Sequence, residues 1–185
     1  MFQKLLSLLD STDADLTVPL STEILQLKKG DVITATGVVE NYIYYLQSGA
    51  VKVSYFHEIK EHILDFWFEG DYFTSYISFI QRSPSITQIT ALCDTIVERT
   101  SYEQLQNIYK NTPFGNEVGR KMAERMYIHK TLREIELISL NAEQRYLKLL
   151  HESKQLLQEV SVKDIASYLG IQPESLSRIR KKISS

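Results

Sequence analysis

The chain has 185 residues, 43% apolar and 24% charged, with 7 glycines, 4 prolines and 1 cysteine; this is the make-up of a folded globular protein and excludes collagen-like, low-complexity and disulfide-rich classes. No run approaches the roughly 18 consecutive apolar residues of a membrane span, and the lone Cys93 excludes an internal disulfide or a cysteine-ligated cluster, so a cytoplasmic protein is expected. The net charge of -2 is uneven, with residues 161–185 at +3 and the remainder at -5, so any phosphate-binding surface is expected at the C-terminal end.

The opening MFQKLLSLLDSTDAD reads as a short amphipathic surface helix, without the basic start and cleavage site of a signal peptide. Short apolar runs then follow at close intervals: 23–27, 32–34, 42–48, 51–56, 60–66, 85–91 and 94–100. Between them stand turn signals such as Lys29-Gly30-Asp31, Ser48-Gly49, His57-Glu58 and Glu69-Gly70-Asp71. No helix of crossover length separates successive strands, so an antiparallel sandwich or barrel is expected rather than a parallel sheet. Cys93, in ITALCDT, reads as a buried strand position.

From Ser101 the periodicity changes. SYEQLQNIYKN opens with a serine and carries Gln104 three residues on, the spacing of a capping box. Beyond Pro113 a helix is expected to about Ser139, roughly 37 Å long at 1.5 Å per residue. Val118, Met122, Met126, His129, Leu132, Ile135 and Ile138 recur at spacings of three and four and line one face. Such a stripe seats either a second copy in a parallel two-fold dimer or the chain's own sheet domain. A second amphipathic helix covers 141–151, with a helical continuation over 154–159.

The final segment, VKDIASYLGIQPESLSRIRKKI, carries the strongest signal. Ile165, Leu169, Ile171, Leu176 and Ile179 hold two short helices together, Ala166 is small where they cross, and Gly170 supplies the positive φ of a tight turn. Pro173 suits the first position of the second helix. A major groove admits such a helix, and its solvent face then carries Gln172, Glu174, Ser175 and Arg178. Arg178 suits guanine O6 and N7, and Glu174 a cytosine amino group or the arginine itself; an intrahelical ion pair is the plain alternative. Ser175, Arg180, Lys181 and Lys182 suit phosphate, or a solvated basic helix end.

The chain resembles the Crp/Fnr superfamily of transcription regulators. The resemblance rests on LKKGDVI (27–33), YIYYLQSGAVKVSY (42–55), FWFEGDYF (66–73), ITALCDTIV (89–97) and the segment 166–183, whose wording is similar to regulators of the Bacteroidetes group. It implies an α+β protein: an N-terminal antiparallel β-roll of jelly-roll or cupin-like form with flanking helices (1–112), a long dimerisation helix (113–139) and an all-α helix-turn-helix domain (140–185). The implied partners are double-stranded DNA, a second copy of the chain and RNA polymerase, with no membrane. The dimer contacts are assigned to Val118, Met122, Met126, His129, Leu132 and Ile135.

Glu174 and Arg178 fall where family members touch bases, whereas Pro173 replaces another base-reading arginine, so an unusual half-site is implied. The chain stops about where many members add a β-wing, which implies salt-sensitive DNA binding. The effector pocket is assigned to Tyr72, Phe73, Thr74, Ser75, Arg82 and Ser85. In cyclic-AMP-responsive members a glycine-glutamate pair and an arginine hold the ribose and phosphate; here Thr74, Ser75 and Ser85 stand in those places, with Arg82 three residues before Ser85. A cyclic nucleotide is therefore not expected, no cofactor is assigned, and the effector is left open. The pocket is either open and polar or filled by Tyr72, Phe73, Tyr76 and Phe79. His57 and His62 flank a hairpin turn and are expected to be exposed rather than ligands.

Two other classes compete. A ligand-binding or protein-interaction module without specific DNA binding fits the acidic balance. An enzyme fits poorly, because Cys93 has no base placed by any motif and no glycine-rich phosphate loop is present.

Overall fold

Residues 21–112, 115–152 and 160–183 are described by a computed structural model. The helices expected over the first 15 residues and over 154–159 lie outside them. Eight strands form two four-stranded antiparallel sheets. The first contains β1 (Glu23–Leu27), β8 (Thr95–Ser101), β3 (Tyr42–Ser48) and β6 (Tyr72–Phe73) in that order. The second contains β2 (Val32–Thr34), β7 (Thr87–Ala91), β4 (Ala50–His57) and β5 (Lys60–Phe68). The inward residues Tyr44, Leu46, Val51, Val53, Phe73, Ile89 and Val97 meet between the sheets, as alternation of facing requires of a sandwich. β6 and the short helix α1 (Tyr76–Gln81) are too brief for a periodic signal and are additions to the sequence-based expectation. Cys93 lies half-buried in the bend between β7 and β8, not in a strand.

Gly49 joins β3 to β4 at φ +94°, where a Cβ would stand 2.5 Å from the Thr95 hydroxyl and 2.8 Å from the Asp94 carbonyl. Only glycine fits that approach. The β4–β5 hairpin pairs Ala50 with Phe68 through His57 with Lys60, and its register shifts between Val53 and Ser54.

The expected capping box forms at the start of α2 (Tyr102–Asn111): Ser101 Oγ accepts from the Gln104 amide at 3.2 Å, and Gln104 Oε1 accepts from the Ser101 amide at 3.1 Å. The long helix α3 (Gly115–Ser139) buries side chains only near its start. Val118 and Met122 are buried with Ile43, Phe79 and Leu105, whereas Leu132, Ile135 and Ile138 are exposed. The single stripe read from spacing is thus divided: its N-terminal part is consumed within the chain, so Val118 and Met122 have no surface left for a partner. The helix α4 (Ala142–Glu152) follows, and α5 (Val162–Tyr168) and α6 (Pro173–Ile183) close the described chain.

Candidate nucleic-acid interface and effector cavity

Helices α5 and α6 form the helix-turn-helix through the residues its spacing selects. Ile165, Ala166, Leu169 and Leu176 are fully buried, with Ile171 and Ile179 packed against them. Ser161 caps α5 by accepting from the Asp164 amide at 3.0 Å. Gly170 turns at φ +69° with open space around its missing Cβ, so its role is conformational, not steric. Two arginines secure the carboxyl end of α5: Arg133 donates to the Tyr168 carbonyl and stacks 3.8 Å above the Tyr168 ring, while Arg145 donates to the Leu169 carbonyl at 2.9 Å. Cations at that end meet both the unpaired carbonyls and the negative end of the helix dipole.

The open face of α6 carries exposed Gln172, Glu174 and Arg178, with Ser175 half-buried. Glu174 and Arg178 do not form the intrahelical ion pair that their spacing allows; neither joins any ion pair among the described residues. The basic C-terminal cluster is divided. Arg180 Nε donates to the Tyr146 hydroxyl at 3.0 Å, with its guanidinium 5.6 Å from that ring centre. Lys182 Nζ reaches Glu143 at 2.8 Å. Both side chains therefore link α6 to α4, a role their place in the sequence did not reveal. Lys181 is exposed.

This unit does not stand apart from the roll. Ile165, Ala166 and Leu169 share one apolar cluster with Ala50, Ile63, Phe66 and Leu92 of the roll. Ser167 Oγ accepts from the Ile63 amide of β5 at 3.0 Å. Lys52 of β4 lies 2.9 Å from Glu61 and 3.3 Å from Asp164. The hairpin tip, with Ile59 fully exposed, faces Lys163, Gln172 and Pro173 across an open cleft of about 540 Å³. His57 is exposed as expected, but His62 in that cleft is half-buried.

A second, apolar cavity of about 490 Å³ opens between the roll and α3. The roll contributes Val53, Leu64, Trp67, Phe73, Ile77 and Ile86 together with Thr74, Ser75 and Thr87; α3 contributes Ala123, Met126, Tyr127 and Lys130. Of the residues assigned to an effector pocket, Phe73, Thr74 and Ser75 line this space, and Tyr72, Arg82 and Ser85 do not. Tyr72 packs on Tyr45 with ring centres 4.9 Å apart. Arg82, at φ +54°, donates to the Glu40 carbonyl at 2.7 Å and to Asn41, and lies 4.2 Å from the Tyr102 ring centre. Tyr76 lines the rim while Phe79 is buried beneath α3, so the space is neither polar nor filled.

Sequence reasoning missed the pairing that joins this cavity wall to α3. Asp65 of β5 is buried, with His129 Nε2 at 3.1 Å and Lys130 Nζ at 2.6 Å. Burial raises its carboxyl pKa, but the hydrogen bond from His129 and the charge and hydrogen bond of Lys130 outweigh this and hold it below the ordinary value. His129 also stacks on Trp67 at 4.9 Å. It is thus bound to its own roll through Asp65 and Trp67, with its side chain 42% exposed.

The family model described as cyclic nucleotide-binding domain matches residues 24–112. No curated protein sequence matches the chain. Among solved structures, FixK2 from Bradyrhizobium japonicum aligns with TM-score 0.74 at 19% identity, over 89% of this chain and 85% of that one. A putative transcriptional regulator of the crp/fnr family from Eubacterium rectale gives TM-score 0.69 at 20% identity, over 88% and 78%. DNR from Pseudomonas aeruginosa is 27% identical over 98% of this chain and 78% of that one, with TM-score 0.51. None of the helices described is long and apolar enough to cross a membrane. The two-sheet roll, the long helix and the C-terminal helical region follow one another in the order seen in these solved structures, whose fold the chain shares, and residues 24–112 match the cyclic nucleotide-binding domain family.

Proposed function

We propose that the protein is a homodimeric regulator that reads duplex DNA with α6 and does not answer to cyclic AMP. The observation that carries this reading is the division of charge on α6: Arg180 and Lys182 are paired with α4, while Glu174 and Arg178 stay exposed and join no ion pair among the described residues. A helix that commits two of its cations to its own support, yet keeps a carboxylate and a guanidinium one turn apart in solvent, is suited to base edges. The exposed second half of α3, with Leu132, Ile135 and Ile138, supplies the surface for a second copy and so for a two-fold site. The Thr74, Ser75 and Ser85 positions offer neither carboxylate nor guanidinium to a cyclic nucleotide.

Selection of bound sequences from a random duplex pool tests the reading, with an enriched two-fold motif as the expected result. Arg178→Ala should cost about 1–3 kcal/mol on that motif and broaden it, whereas Lys181→Ala should weaken motif and random duplex alike. An absence of enrichment would favour a ligand or protein-interaction module instead.

A further inference from the structure

Resting on the reading of the roll as the sensing part of a regulator, we propose that the cavity between roll and α3 takes a neutral, largely apolar small molecule that donates a hydrogen bond, such as an aromatic alcohol. Three observations define that chemistry.

The first is the wall. Leu64, Ile77, Ile86 and Tyr127 bring apolar surface to the opening from different elements, and each remains substantially exposed. Each gains when a ligand covers it, because apolar surface is removed from water. A space of about 490 Å³ accommodates a two- or three-ring molecule.

The second is charge. Lys130 is the one charged residue among those lining the cavity, and its ammonium lies 2.6 Å from Asp65. Turning it toward a ligand would take the ammonium away from a carboxylate that is only 3% exposed. An anionic ligand would therefore lose its hydration without gaining a free counter-charge.

The third is the count of hydroxyl protons at the inner end. Ser85 Oγ donates to the Thr87 carbonyl at 2.7 Å. The Ser75–Ser85 contact of 2.6 Å then requires the Ser75 proton. The Ser75–Thr87 contact of 2.9 Å in turn requires the Thr87 proton. Thr74 spends its own proton on the Tyr42 carbonyl at 2.8 Å. All four hydroxyl protons are committed, and what Thr87 can still offer is a lone pair. At this inner end a phosphate or carboxylate, which needs donors, is not served and a ligand O–H or N–H is, while the Tyr76 and Tyr127 hydroxyls belong to the rim.

Displacement of the neutral dye Nile red from the full chain tests this. Saturable binding at one dye per chain is expected, and Ala123→Trp, which fills the space, and Ile86→Asp, which charges its rim, should each weaken it about tenfold or more. Near neutral pH, 2-naphthol should displace the dye at roughly tenfold lower concentration than 2-naphthoate, which has the same rings but is an anion. Cyclic AMP should not displace it. Thr87→Val should remove the advantage of 2-naphthol over naphthalene. Equal or better displacement by naphthoate or cyclic AMP overturns the proposal, as does the absence of saturable dye binding or dye binding that both variants leave intact. The random-duplex selection, run on the same samples, separates these outcomes: loss of ligand binding with an enriched motif refutes the cavity alone, and the reverse refutes DNA reading alone.

Discussion

Lys52 of β4 and Asp164 of α5 lie 3.3 Å apart, and each side chain is 14% exposed. Because Lys52 also meets Glu61 at 2.9 Å, one cation on the roll holds a carboxylate of its own sheet and one of the helix-turn-helix. Replacing Lys52 by methionine keeps the length of the side chain and leaves two half-buried acids facing each other. A loss of about 3 kcal/mol in unfolding free energy is expected, with faster amide exchange in α5 than in the sheet core. Unchanged exchange in α5 would show that the apolar cluster alone holds the two parts together.

The Asp65 contact gives a pH dependence of defined sign. The native carboxyl titrates below its ordinary value. Its contribution to stability is therefore complete above about pH 4 and declines as pH falls through the lower native value. Asp65→Asn should destabilise the protein by about 1–3 kcal/mol near pH 7. The difference from the parent chain should shrink on acidification, as denaturant titrations at several pH values would reveal. A difference that grows below pH 4 would contradict the assignment.

Gly170 has no steric neighbour, so Gly170→Ala isolates the conformational cost of its φ of +69°. That cost is about 1–2 kcal/mol. Thermal unfolding should register it, and a stability equal to that of the parent would mean that the turn relaxes to another geometry.

Ile138 is 81% exposed, and Leu132 and Ile135 are both 52% exposed. Ile135→Glu with Ile138→Glu should convert a dimer to a monomer in sedimentation velocity while leaving the circular dichroism of the roll unchanged. Met122→Glu should instead damage the fold, since Met122 is buried against the roll. Dimers that persist through the paired glutamates would place the contact elsewhere.

Elements with a strong local period were legible in the sequence. The strands over 23–27, 32–34 and 42–48 coincide with their expected limits, because alternation and flanking turn residues act within a few positions of one another. The Ser101–Gln104 capping box and the buried set Ile165, Leu169 and Leu176 were readable for the same reason. The two-residue strand β6 and the six-residue α1 were not, since neither is long enough to establish a period.

Facing is decided differently from spacing. Arg180 and Lys182 look like any basic helix end until Tyr146 and Glu143, 34 and 39 residues earlier, are brought beside them. Arg82 looks available for an anion until Glu40, Asn41 and Tyr102 surround it. His129 and Val118 share a stripe in sequence, but one meets a buried carboxylate and the other a packed core. The sequence by itself determined the helix-turn-helix and the roll strands, because caps, turns and apolar periods are local and act through neighbours along the chain. Only the tertiary structure decided which cations of α6 pair with α4, that the cavity is apolar, and that the helix-turn-helix shares its core with the roll. Those outcomes depend on contacts between distant segments, which spacing along the chain does not encode.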